Sequence, residues 1–142
     1  MKPITSGSLH RIAQLLLALA IWGAPVTFAK AEPLEIVGFG DSLMAGYELP
    51  EGDGFPAVLE AALKREGIDA KVANAGVSGD TTTGGFERLD WSVPDGAKLV
   101  ILELGGNDAL RGIAPEITQD NLDKMITRLN ERGIVIVLAG ML

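Results

Sequence analysis

Ile36-Val37-Gly38-Phe39-Gly40-Asp41-Ser42-Leu43 is the stretch on which the reading of the whole chain turns. Its apolar run has the composition of a buried strand and stops at two closely spaced glycines. An acid and a hydroxyl follow, Asp41 and Ser42, and then Leu43-Met44-Ala45, which suits a short helix. A strand that ends in a tight turn and passes into a helix can lift one Ser side chain to the edge of a sheet. The first amides of that helix then face whatever the Ser attacks. Ser42 is therefore a candidate nucleophile. The other reading of the same octet is a Ser that caps a helix after a Gly turn.

Working outward, Leu34 to Phe39 reads as the first strand and the Gly/Pro-rich Glu48 to Gly54 as a loop. Phe55, Val58, Leu59, Ala62 and Leu63 recur at helical spacing, which predicts an amphipathic helix with one buried face. Pro56 suits its first turn, Lys64 and Arg65 its last, and Gly67 its stop. Ala70 to Ala75 is a weaker strand. Gly76 to Gly85 reads as a loop of small and hydroxyl residues, with Phe86 to Leu89 a short helix. Leu99 to Leu104 is an apolar strand interrupted only by Glu103. Leu122, Met125, Ile126 and Leu129 form another helical stripe that Gly133 ends, and Ile134 to Ala139 is a continuous β-branched and aliphatic strand. Strands that alternate with crossovers, and that are mostly apolar on both faces, predict a parallel sheet covered by helices, an α/β layered fold.

The 142 residues suffice for one domain with a real core, and 47% hydrophobic with 22% charged residues suits a globular protein. A formal net charge of -7 argues against nucleic-acid binding and gives no support for attraction to anionic membrane surfaces. With no cysteine there is no disulfide framework, thiolate metal site or Cys nucleophile. Residues 1–31 look like a secretory signal peptide. Lys2 and Arg11 supply the positive start, Ile12 to Trp22 the apolar region, and Ala29-Lys30-Ala31 a small-x-small cleavage site. An apolar region of about 11 residues is short for a membrane span, which needs roughly 20. The expectation is a mature chain beginning at Glu32, periplasmic, with no stable membrane span. From residue 32 onward there are 9 basic and 19 acidic residues and no histidine, since the single histidine is His10.

In an open parallel sheet, ligands bind beyond the carboxyl ends of the strands. Three segments carry Gly-rich polar sequence directly after a strand: Gly40-Asp41-Ser42-Leu43, Asn74-Ala75-Gly76-Val77-Ser78-Gly79-Asp80-Thr81 and Gly105-Gly106-Asn107-Asp108. Parallel strands put all three on one edge. Their residue types suit acyl transfer: Ser42 offers a hydroxyl, Gly79 an N–H with no side chain in the way, and Asn107 two side-chain N–H donors. Donors fixed on a developing oxyanion are worth about 3–4 kcal/mol each. Gly79 is equally suited to serving a turn, and Asn107 to capping the next helix. A dinucleotide fingerprint needs glycine at position 43, where Leu43 stands, and no P-loop pattern occurs. Without Cys, or His beyond His10, a metal site has no soft ligands, and the spacing of Asp41, Asp80 and Asp108 matches no known cage.

Gly40-Asp41-Ser42-Leu43, Val77-Ser78-Gly79-Asp80-Thr81 and Leu104-Gly105-Gly106-Asn107-Asp108 resemble the first three blocks of the SGNH, or GDSL, hydrolases. The longer match, through Ala45-Gly46-Tyr47 and Arg111-Gly112, is to the bacterial arylesterase, acyl-CoA thioesterase and lysophospholipase branch, and it covers most of residues 34–139. The resemblance implies a flavodoxin-like three-layer α/β/α sandwich. It implies Ser42 as nucleophile, with the Ser42 and Gly79 backbone N–H groups and the Asn107 side chain as oxyanion hole. It implies hydrolysis of small-molecule esters or thioesters through an acyl-enzyme, without metal or cofactor.

The family's last block, Asp-x-x-His, supplies the general base and the acid that orients it, and neither is found in this sequence after residue 31. The expectation is a fold incomplete at the C-terminus, with residues 32–142 the N-terminal portion of a longer esterase domain. An acyl- or lipid-binding module without catalysis, or a decayed product, are the alternatives. Ile134 to Ala139 would then form an exposed apolar edge, an aggregation hazard.

Overall fold

The computed structural model describes residues 32–140; the signal peptide expected over residues 1–31 lies outside the described residues. Four strands form one sheet: β1 (Leu34–Gly40), β2 (Ala70–Gly76), β3 (Leu99–Glu103) and β4 (Val135–Leu138), in the order β2-β1-β3-β4. Every neighbouring pair is parallel. Val37 lies beside Ala73 and Val100, and Val100 beside Ile136. Between them run the helices α1 (Ser42–Ala45), α2 (Phe55–Arg65), α3 (Thr82–Ser92), α4 (Gly106–Leu110) and α5 (Pro115–Glu131). The strand order reverses between β1 and β3, so the crevice beyond their carboxyl ends is the switch point at which such sheets bind ligands.

The two faces of the sheet differ. Val37, Phe39, Val100 and Leu102 point to one face and are buried against Leu89 and Val93 of α3 and Met125 and Leu129 of α5. This is the main core. A β-carbon on Gly38 would meet Sδ of Met44 at 2.5 Å and Cγ of Pro56 at 3.4 Å, so α1 and the start of α2 cover the other face at β1. The architecture is an α/β/α layering of a parallel sheet, as the alternation of patterns predicts.

Two local expectations are corrected. The helix at 55–65 forms with Pro56 in its first turn. It closes through Gly67 N–H to Lys64 C=O at 3.1 Å and Ile68 N–H to Leu63 C=O at 3.0 Å. Its apolar stripe is only half covered, however: Phe55 and Val58 are exposed, and Pro56 is its one buried residue. The helix packs on β2, an edge strand, and among the described residues no second long helix lies beside it. The loop expected over Gly76 to Gly85 is shorter than the composition suggests. Helix α3 begins at Thr82, with the Thr81 side chain accepting from Gly84 N–H at the cap. Gly85 serves close packing, since a β-carbon there would lie 2.3 Å from Cδ1 of Leu104. Among the described residues no helix is long and apolar enough to cross a membrane.

Candidate active site

The fold brings the ends of β1, β2 and β3 together at one edge of the sheet. Asp41 leaves β1 and caps α1, its Oδ1 accepting from Leu43 N–H at 3.0 Å. Ser42 follows as the first residue of α1, half-buried. It lines an open cleft of about 550 Å³ with Asp41, Leu43, Asn107, Ala109 and Leu110. Among the described residues no side-chain hydrogen bond holds the Ser42 hydroxyl.

Asn107 sits in the first turn of α4, directly after β3, and its carboxamide joins the other two segments. Its Nδ2 donates to Oδ2 of Asp41 at 2.8 Å and to the backbone carbonyl of Asp80 at 2.9 Å. The side chain read from sequence as either an oxyanion donor or a helix cap thus bridges the Ser42 turn and the Gly79-Asp80 loop, and it does not cap α4, whose N-cap residue is Gly105. Gly79 stands at φ +80°, a left-handed conformation that side chains disfavour. A β-carbon there would meet only Nη2 of Arg111, at 3.6 Å, so conformation rather than space is what calls for glycine. Arg111 donates from Nη2 to the Gly79 carbonyl at 2.6 Å, which steadies that peptide.

The three acids considered as cation ligands each have a partner in the fold. Asp41 serves the α1 cap and Asn107. Asp80 is paired with Arg88, Nε to Oδ2 at 2.7 Å. Asp108 is buried under α3, where it accepts from Thr82 N–H at 2.9 Å and from the hydroxyls of Thr82 at 2.5 Å and Thr118 at 3.2 Å. Among the described residues no group of three His, Cys, Asp or Glu is placed to hold a metal ion.

Sequence reading passed over three side chains that build this edge. Glu103, a break in an apolar strand, is buried and accepts from Asp41 N–H at 3.3 Å. Burial pushes its carboxyl above the ordinary glutamate range, and the Asp41 carboxylate adds to that. An acid inside an otherwise apolar strand was the available signal. Arg111 had none beyond its place in a resembling segment and Arg88 had none at all, because their partners are distant in sequence.

Residues 39–142 match the GDSL-like lipase/acylhydrolase family. The chain is 42% identical over 108 residues to an arylesterase of Vibrio mimicus, a match that covers 73% of this chain and 52% of that protein. It is 42% identical over 113 residues to the esterase TesA of Pseudomonas aeruginosa, covering 79% and 55%. In structure it resembles AlinE4, an SGNH-hydrolase family esterase, with a TM-score of 0.75 and 48% identity, over 80% of this chain and 61% of that one. The chain spans about half the length of the curated relatives it matches. Three strand-end segments joined at the switch point and a family match over nearly all of the described fold lead to one conclusion: this chain belongs to the GDSL-like lipase/acylhydrolase family.

Proposed function

We propose that the protein hydrolyses carboxylic esters or thioesters of small molecules through an acyl-enzyme on Ser42. The arylesterases, thioesterases and lysophospholipases are the models for its substrate range. Oγ of Ser42 attacks the acyl carbon and gives its proton to a base. The carbonyl oxygen becomes an oxyanion held by Ser42 N–H, Gly79 N–H and the Asn107 carboxamide. The intermediate collapses, the alcohol or thiol leaves with that proton, and water then releases the acid. No metal or organic cofactor enters the scheme. The observation that carries this reading is the Asn107 bridge, with Nδ2 at 2.8 Å from Asp41 and 2.9 Å from the Asp80 carbonyl. A side-chain amide has two hydrogens to donate, so the oxyanion recruits Asn107 by sharing one of these bonds.

A serine hydroxyl is a poor nucleophile without a base, and residues 32–140 contain no histidine. The proposal therefore takes its base from outside these residues, from an Asp-x-x-His segment of the family's type. Without one, oxyanion and binding effects alone leave about 10³–10⁴ over water, by analogy with protease triads. The test is hydrolysis of p-nitrophenyl acetate by the chain extended through such a segment. Ser42→Ala should abolish turnover, and Asn107→Ala should lower kcat about 10²–10³-fold. A folded, extended chain with no Ser42-dependent hydrolysis overturns the reading; if it still binds an inert ester, the acyl-binding alternative replaces it. Under the same proposal residues 1–31 form a leader, and the activity is found in the periplasmic fraction on a chain that starts at Glu32.

A further inference from the structure

Arg88 is the most heavily engaged buried charge among the described residues, and the chemistry above does not use it. It lies on α3 with 7% of its surface exposed. Its guanidinium is a planar fork joining three stretches of chain. Nη2 donates to the Gly40 carbonyl at 2.9 Å, at the end of β1 and two residues before Ser42. Nη1 donates to the Ala75 carbonyl at 2.9 Å, near the end of β2, and to the Ser92 hydroxyl at 3.4 Å. Nε donates to Oδ2 of Asp80 at 2.7 Å, next to Gly79. Behind these bonds the guanidinium carbon stands 4.0 Å from the centre of the Phe39 ring, which buttresses the plane by a cation–π contact.

We propose that Arg88 is a positioning residue that holds the Gly79-Asp80 loop at a fixed distance from the Ser42 turn. This rests on the acyl-transfer reading of Ser42 and Gly79. The Gly40 carbonyl also accepts from Val77 N–H at 3.0 Å, so the loop is joined to the end of β1 directly once and through the guanidinium a second time. Arg111 and Asn107 in turn take the carbonyls of Gly79 and Asp80. The loop is thereby held at both Gly79 and Asp80. A lysine keeps the charge but is a single point donor, and it cannot bridge three acceptors lying in different directions. Arg88 touches neither substrate nor Ser42 in this scheme; it acts through the placement of an oxyanion donor.

Two measurements on the chain extended through an Asp-x-x-His segment, and on its Arg88→Lys and Asp80→Asn variants, test this. The first is the rate at which an alkyl fluorophosphonate labels Ser42, the Oγ–P bond forming as fluoride leaves, read by intact mass with Ser42→Ala as blank. The second is amide hydrogen exchange, with Asp80 and Thr81 reporting on the loop and Val37 and Val100 on the core. A misplaced donor costs on the order of 10- to 100-fold in rate. Arg88→Lys is expected to label that much more slowly and to exchange about tenfold faster at Asp80 and Thr81, with Val37 and Val100 unchanged. Asp80→Asn, which keeps an acceptor oxygen of the same shape, should lie between it and the wild type. Equal labelling and equal loop exchange in folded Arg88→Lys overturn the proposal. So does a uniform rise in exchange at loop and core together, which marks a merely structural role. A folded wild type that takes no label overturns the acyl-transfer reading instead, and the exchange comparison then decides separately whether Arg88 holds the loop.

Discussion

At the scale of single residues, the site edge is a chain of buried carboxylates and amides in which each group has a neighbour to satisfy. Asp41 caps α1 with one oxygen and receives Asn107 with the other. Glu103, behind it, is the less comfortable of the two acids, because burial and the Asp41 charge both disfavour its ionised form. The folded protein therefore holds the Glu103 proton to a higher pH than the unfolded chain does. Its contribution to stability is complete below the ordinary carboxyl value and is lost as pH rises through the raised folded value. Glu103→Gln keeps an oxygen that accepts from Asp41 N–H and removes the charge. The variant should melt higher than the wild type at neutral pH, and the two should converge below about pH 4, where the unfolded Glu is protonated as well. Thermal melts across that range check it. A wild type that gains stability relative to the variant as pH rises would contradict the assignment.

At the scale of elements, the helix that begins at Ser42 is placed by contact with β2, a strand of small and polar residues. β2 runs beside β1, and its last residue, Gly76, lies directly under α1. A β-carbon there would stand 2.2 Å from Ala45 N, 2.6 Å from Ala45 Cα and 2.7 Å from Met44 C. These are backbone atoms, which cannot swing aside as a side chain can. Gly76→Ala must lift α1 from the sheet, at a cost of about 1–3 kcal/mol in the range of other overpacked sites. Ser42 moves with its helix. In the chain extended through an Asp-x-x-His segment, the expected result is a protein that still folds, with a lower urea midpoint and strongly slowed phosphonate labelling. Labelling at the wild-type rate would show that the placement of Ser42 does not depend on this contact. The same reasoning explains why the loop before α3 is short: a run of Gly and Thr reads as loop in composition, but the cap at Thr81 and the space that Leu104 needs at Gly85 make it a helix start.

At the scale of the whole described fold, the sheet is well covered on one face and thinly covered on the other. Val135 is 60% exposed and Val137 48%, both on the face that α1 and α2 cover only at β1 and β2. Beside them an apolar recess of about 230 Å³ opens between Leu43, Met44, Phe55, Ile101, Glu103 and Ala139. An edge strand with such a surface is a template for pairing with other chains. The 142-residue chain should therefore self-associate as its concentration rises. Val137→Lys, which puts a charge on that face without disturbing the buried one, should shift sedimentation velocity towards the monomer. Unchanged association in the variant would direct attention to the exposed side of α2.

The layered parallel fold, the three strand-end segments and the identity of Ser42, Gly79 and Asn107 as candidates were legible in the sequence. Strand patterning, turn glycines and the order of polar blocks are local properties, written within a few residues of where they act. Locality also marks where that reading stopped. Asn107 meets Asp41 across 66 positions, and Arg88 meets Gly40 across 48. No spacing rule connects such partners, and only the parallel register at the ends of β1, β2 and β3 makes them neighbours. Whether Asn107 caps its own helix or bridges two loops, whether Arg88 is a surface charge or a buried fork, and which apolar stripe is covered were decided by tertiary structure. A side chain's partners are set by which strand ends the fold brings together, and its burial by which layers close over it.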